Sequence, residues 1–307
     1  MPAIPRCRVV PLPDDRVSFV VDSVERTCWH FAERYPGPYF YPFVGPIGET
    51  LTRMGHPGAP NHDHHRSIWF AHNTVAGVDF WSMNQPARMR QQQWLAYQSG
   101  DDEAVMAVRI GWFDGHDPKE LLTQDLVAAV IPGENGETLL ELQSTFLPTS
   151  DTLEFGQTNF GVLGLRVAES ISAVFGAGVL TGADGAATER NLFGKPNAWM
   201  DYGGPVAGAS NDGWTAGITL FDHPSNPGHP VKWHVRDDGW MGPSLCRDAG
   251  VTTTRDEPLV LRYLFHAHAG PVDPDGATGI FRDFSARPSF IIERSNRPNR
   301  TFDVRRA

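Results

Sequence analysis

Period-2 alternation of apolar and polar residues, broken by turn residues, recurs along the whole chain and leaves room for little except β-sheet. It runs through residues 16–22, 104–112, 138–146, 161–167, 214–221 and 259–268. The 138–146 segment follows Gly133-Glu-Asn-Gly136, a hairpin signature. The 31 glycines and 25 prolines are scattered, as expected of many turns joining short strands and not of a disordered tract. Helical periodicity is nearly absent. Pro118-Lys-Glu-Leu-Leu starts like a turn of helix before the apolar run 126–131, and 278–287 reads as one short helix ahead of an arginine-rich C-terminal tail from about residue 285. Without an internal repeat or a linker, residues 1–307 read as a single all-β domain, a large antiparallel β-sandwich with few short helices. The small-residue-rich stretch 176–211 reads as a long loop facing a substrate.

A chain of 307 residues can bury a core without staples. Its formal charge of −10 repels phosphates and argues against nucleic acid as a partner. No run of 18 apolar residues exists to span a membrane. The start, MPAIPRCRVVPLPDD, has neither the apolar core nor the cleavage site of a secretory signal. Cys7, Cys28 and Cys246 are odd in number and form no CxxC, so they read as free thiols in a reducing compartment, with the cytoplasm as the expected location. Gly-x-Ser-x-Gly, Walker and Rossmann fingerprints are missing.

The chemistry is concentrated in Gly48–Asn73, where His56, His62, His64, His65 and His72 fall within 17 of the chain's residues. If 62–72 is extended, His62, His64, Arg66 and His72 share one face and His65 and Trp69 the other. Three readings follow. His62-x-His64 can give two imidazoles to a divalent metal, although no Glu follows and Arg66 would repel a cation. Alternatively the imidazoles act as acid, base and hydrogen-bond donors in a substrate pocket, because their pKa lies near neutrality. Glu49 and Arg66 would then supply fixed charge, and Trp69, Phe80 and Trp81 flat apolar faces for sugar rings. The third reading is that these side chains only satisfy backbone groups of a proline-rich loop.

Other candidates are more dispersed. Asp222, His223 and Asn226 sit among prolines that would display them at a rim. On 259–268, Arg262, His266 and His268 share a face opposite Leu261, Tyr263 and Phe265. Asp201 and Tyr202 combine a carboxylate with an aromatic ring, as a polyol site would. Asn159 and Arg166 flank a strand and are further pocket candidates.

The runs YPFVGPIGETLTR from Tyr41, HDHHRSIWFAH from His62 and GVDFW from Gly77, followed by WMDYG at Trp199 and DHPSN at Asp222, together resemble a family labelled PmoA-like, after methane oxygenase PmoA. A membrane oxygenase built on transmembrane helices does not match a chain that has none. The resemblance instead implies a galactose-mutarotase-like supersandwich and carbohydrate catabolism beside sugar-oxidising dehydrogenases. It carries His62, His64, His65, Arg66 and His72 over as site positions, with His56 and Glu49 next to them. The expectation is therefore an enzyme acting on a sugar or oxidised glycoside by histidine acid–base chemistry, as an epimerase, lyase or hydrolase. His64, His65, Arg66, His72 and Asp201 are its catalytic candidates. Its substrate-binding candidates are Glu49, His56, His62, Trp69, Trp81, Asn159, Arg166, Tyr202, His223, Asn226 and His266. A non-catalytic carbohydrate-binding or sensor module and a metal-dependent cupin-like oxygenase or isomerase are the alternatives.

Overall fold

Each alternating segment has one face apolar enough to require a partner, and two sheets packed face to face meet that need. A computed structural model describes residues 4–56, 58–59, 62–82, 85–206 and 215–307. In chain order the strands of the first sheet are β1 (Cys7–Leu12), β2 (Arg16–Val21), β3 (Val24–His30), β4 (Tyr39–Phe43), β5 (Ile68–Phe70), β11 (Leu163–Arg166), β15 (Trp233–Arg236) and β16 (Trp240–Pro243). They pair in the order β1-β2-β3-β4-β5-β11-β16-β15. The second sheet comprises β6 (Arg88–Gln98), β7 (Ala104–Phe113), β8 (Leu122–Pro132), β9 (Thr138–Pro148), β12 (Val179–Gly182), β13 (Trp199–Pro205), β14 (Thr215–Asp222) and β18 (Leu259–Ala269). Its order is β12-β13-β14-β18-β9-β8-β7-β6, and all pairs are antiparallel. Two short pairs complete the strands: β10 (Thr152–Phe155) with β17 (Val251–Thr254), and β19 (Phe290–Arg294) with β20 (Phe302–Arg306).

The core lies between the sheets. Phe43 meets Phe265 across the gap at 6.4 Å, and Phe70 meets Phe146 at 6.3 Å. Burying each such ring is worth about 1.5–3 kcal/mol. On the outer face of the second sheet, helix α2 (Pro274–Ala286) lays Ala277 and Phe284 on Trp199, Phe221 and Leu264. Asp273 caps that helix by accepting from the Asp275 amide. The β19–β20 hairpin covers Leu95, Val105, Ala107, Val127 and Ala129 with Phe290 and Val304. Both covers are tied to buried Glu141 on β9, which is ion-paired with Arg262, Arg287 and Arg306.

Several sequence expectations change here. The residues expected to form a tail instead form the β19–β20 hairpin, because Phe290 and Val304 have an apolar sheet face to bury. The start of helix expected at Pro118 does not form; the following residues enter β8 and pair with β7 and β9. The 176–211 loop contains β12, the single turn α1 (Glu189–Leu192) and β13, and its last residues, 207–211, lie outside the described ones, as does Trp214 of the 214–221 strand. Residues 62–65 form a turn, with the His65 amide donating to the His62 carbonyl, so no common strand face carries His62, His64, Arg66 and His72.

No helix among the described residues is long and apolar enough to cross a membrane.

Candidate functional site

The outer face of the first sheet carries an aromatic layer. Along β5, β11, β16 and β15, the inward residues are Ile68, Phe70, Leu163, Leu165, Met241, Trp233 and Val235. The residues between them face away from the core: Trp69, Gly164, Arg166, Trp240, Gly242, His234 and Arg236. Gly164 and Gly242 let the indoles lie across the sheet. A Cβ at Gly164 would stand 2.7 Å from the Trp69 ring, and one at Gly242 would stand 2.2 Å from the Trp240 ring. Trp81, from the loop after β5, stacks on Trp240 at 5.7 Å and 22°, and Phe160 lies against Trp81 at 4.8 Å.

The histidine turn closes one side of this layer. His65 is sandwiched between His62 (5.0 Å, 12°) and Trp69 (5.3 Å, 27°), and His64 stands edge-on to it at 4.4 Å. From the other side, β15 brings His234 flat against Trp240 at 5.2 Å. The result is a cleft of about 400 Å³ lined by His62, His64, His65, His234, Trp81, Trp240, Phe160, Asn73, Ser82, Arg236 and Asp238.

Burial sets the protonation of the imidazoles. It pushes His62 and His65 down, with the Arg166 charge adding to the effect in both and neighbouring histidines adding to it in His65. His234 is pushed down to about 4, again mainly by burial. The His234 Nδ1 faces the Asn159 carbonyl at 3.0 Å. A carbonyl only accepts, so Nδ1 carries the proton and Nε2 keeps its lone pair.

Charge gathers at the back of the cleft. Asp238, in the β15–β16 turn, accepts from Arg166 Nη1 at 2.6 Å and Nη2 at 3.2 Å, and His56 Nε2 stands 3.3 Å from its Oδ2. Burial works to raise the Asp238 carboxyl, but the Arg166 hydrogen bonds and charge overcome it and hold the group below the usual carboxylate range. Arg53 donates to the Asp238 backbone carbonyl at 2.8 Å.

The structure brings together seven of the sequence candidates: His56, His62, His64, His65, Trp69, Trp81 and Arg166. Asn159 contributes its carbonyl at the rim. Tyr202 supports the site from behind, its hydroxyl donating to the Arg236 carbonyl at 2.7 Å. The remaining candidates lie elsewhere. Arg66 turns away from the imidazoles to Tyr35, 5.4 Å from its ring, because the chain reverses at 62–65 and Arg66 then bridges to Met54. His72 bonds the Gly156 carbonyl beside Phe155. Glu49 accepts from the Ile47 amide in its own turn. His223 and Asn226 form no displayed rim but are buried, tied to Ser225, Arg262 and Asp222. Asp201 and His266 sit on the outer face of the other sheet, Asp201 bonded to Thr219 and His268 and His266 to Glu137. The pairing of His62 with His64 alone as metal ligands is also replaced: among the described residues, the donors that converge are His56, His62 and Asp238.

Sequence reasoning missed His234, Arg236, Asp238 and Trp240. Their period-2 spacing through the hairpin was the available signal.

A family model of unknown function (DUF6807) matches residues 16–282. The chain belongs to that DUF6807 family. No curated protein matches the chain. Among solved structures, it is similar to a GalM/aldose epimerase homologue from C. elegans, at 7% identity and a TM-score of 0.30, covering 87% of this chain and 99% of that one. It is also similar to a candidate mutarotase (YeaD) from Salmonella typhimurium, at 12% identity and a TM-score of 0.32, covering 87% and 97%. The β-sandwich of this DUF6807 chain rests on its own strand pairing and not on these superpositions.

Proposed function

We propose that this chain is a carbohydrate-active enzyme that takes a sugar or oxidised glycoside into the histidine cleft and moves a proton with an imidazole. The observation that carries the reading is the pairing of a flat aromatic wall (Trp81, Trp240, Phe160) with imidazoles across one open cleft. Indole faces pack against the C–H faces of a sugar ring, while imidazoles and carboxylates bond its hydroxyls.

His234 is the proposed base. Its Nε2 lone pair is held available by the Nδ1 contact to Asn159, and burial keeps the ring neutral at physiological pH. The positive charge that the sequence reading assigned to Arg66 falls instead to Arg236 on the cleft rim, which would stabilise oxyanion charge as a proton leaves a carbon beside a carbonyl. His64 supplies a second imidazole for the returning proton. Epimerase, lyase and hydrolase chemistry share these parts, and the substrate decides among them.

A thermal-shift screen against sugars, 3-keto sugars, sugar acids and glycosides tests the reading, because a ligand of the folded state raises its melting temperature. We expect one of these classes to stabilise the chain and then to be turned over. Folded His234→Ala and His64→Ala variants should lose about 10²-fold or more of that turnover. Stabilisation by none of them, or full turnover by both variants, would overturn the reading. A sugar that binds and is recovered unchanged would make the chain a binding module.

A further inference from the structure

At the back of the cleft, His56, His62 and Asp238 each direct a ligand atom to one place, all within 4.8 Å of one another. We infer that these three residues form a binding site for a divalent transition-metal ion. Binding of the ion does not depend on the proposed sugar chemistry; only the ion's use would rest on that reading.

Geometry and chemistry both favour such a site. Two donors at about 2.1 Å from a common ion stand about 3.0–3.4 Å apart, and His56 Nε2 and Asp238 Oδ2 are 3.3 Å apart. Donors at the full 4.8 Å spread would need to close by about 1.4–1.8 Å to share the ion. The His62 Nδ1 is buried without a hydrogen-bond partner, an orphan that a coordinate bond would satisfy. Arg166 grips the Asp238 carboxylate through both terminal nitrogens, fixing its orientation as the outer partners of metal-bound carboxylates do.

Two imidazole nitrogens and one oxygen suit Zn²⁺, Co²⁺ or Fe²⁺ better than Mg²⁺ or Ca²⁺, which prefer oxygen throughout. Arg166 neutralises the only carboxylate of the set, so the bound ion would keep most of its charge. His62 and Asp238 both line the cleft, so its open positions would face the aromatic wall. An anionic or carbonyl oxygen of the ligand would complete the coordination, and this narrows the substrate class to sugars bearing a carboxylate or keto group.

The experiment is a titration of untagged, chelator-treated protein with Co²⁺ and with Zn²⁺, followed by cobalt absorption and calorimetry. One equivalent of each ion is expected to bind. His56→Ala and His62→Ala should each weaken binding about tenfold or more, while His64→Ala and His234→Ala bind as the parent does. Asp238→Asn should behave like the first pair; if losing the Arg166 partner unfolds it, the two histidine variants still decide. The site is refuted if no stoichiometric ion binds, or if His56→Ala and His62→Ala leave the affinity unchanged. Repeating the sugar screen on metal-free protein separates the two proposals: sugar stabilisation there, together with failure of the metal titration, would refute the ion site and leave the cleft.

Discussion

His234 shows how one contact sets a side chain's chemistry. Its Nδ1 proton is committed to the Asn159 carbonyl, its ring lies on Trp240, and burial holds its pKa near 4. A base works in its neutral form, so the sign is fixed: activity persists as pH falls below the ordinary imidazole value and is lost only as His234 takes up a proton near 4. With a substrate from the screen, kcat/KM measured well below the melting temperature should stay level from neutrality to about pH 5 and fall below that. An acid limb between 6 and 7 would assign the proton transfer to an imidazole with an ordinary pKa and remove His234 from the role.

The site depends on the β15–β16 hairpin and its neighbour β11 as units. Trp240 lies flat only because Gly242 leaves room beside it, and Gly164 does the same for Trp69. Gly242→Ala would press a methyl group into the Trp240 ring and the Leu163 carbonyl. Overpacking of this kind costs about 1–3 kcal/mol. We expect a lowered melting temperature and, more tellingly, weaker binding of the sugar by a protein that is still folded; unchanged affinity would mean the indole face is not the binding wall. Most strands were legible because burial on one face forces alternation, as in 104–112 and 259–268. The three residues of β5 are too few to show a period. The density of histidines at 56–72 was legible, but their directions depend on a turn at 62–65 that pattern alone reads as strand. His234, Arg236, Asp238 and Trp240 alternate plainly, yet the prolines at 224, 227 and 230 pointed to a displayed rim and drew attention to Asp222, His223 and Asn226. The meeting of Asp238 with His56 and Arg166 joins distant parts of the chain and follows only from the strand order β5-β11-β16-β15.

At the scale of the whole sandwich, some imidazoles are buried away from acid, while His56, His229, His266 and His268 stand against carboxylates. Among the described residues, burial is the leading cause that lowers His30, His62, His65, His72, His223 and His234, with His223 and His234 brought to about 4. His268 goes the other way: burial works against its charged form, but the Asp201 carboxylate overcomes it and raises the pKa. In the unfolded chain every imidazole titrates near 6.5. For the six lowered groups, the unfolded state therefore binds more protons than the fold once pH drops below about 6.5, and stability falls until the folded values are reached. His268 contributes in the opposite sense, fully below about 6.5 and less as pH rises through its raised value. Asp222 and Glu49, raised by burial, also favour the acid side, but their contribution starts to be lost from about pH 4 upward. Glu137, Glu141 and Asp238, whose carboxyls their partners hold low against burial, also lose their contribution as pH falls, so they act in the same sense as the six imidazoles and against these three groups. Calorimetry from pH 8 to 4.5 should find the highest melting temperature near neutrality and a steep decline below 6.5. Unfolding at pH 5.5 should also take up protons, measured as a dependence of the calorimetric enthalpy on the buffer's ionisation heat. A melting temperature level from pH 7 to 5, with no proton uptake, would mean that these imidazoles hold their protons inside the fold, and a neutral His234 poised as a base would fail with them.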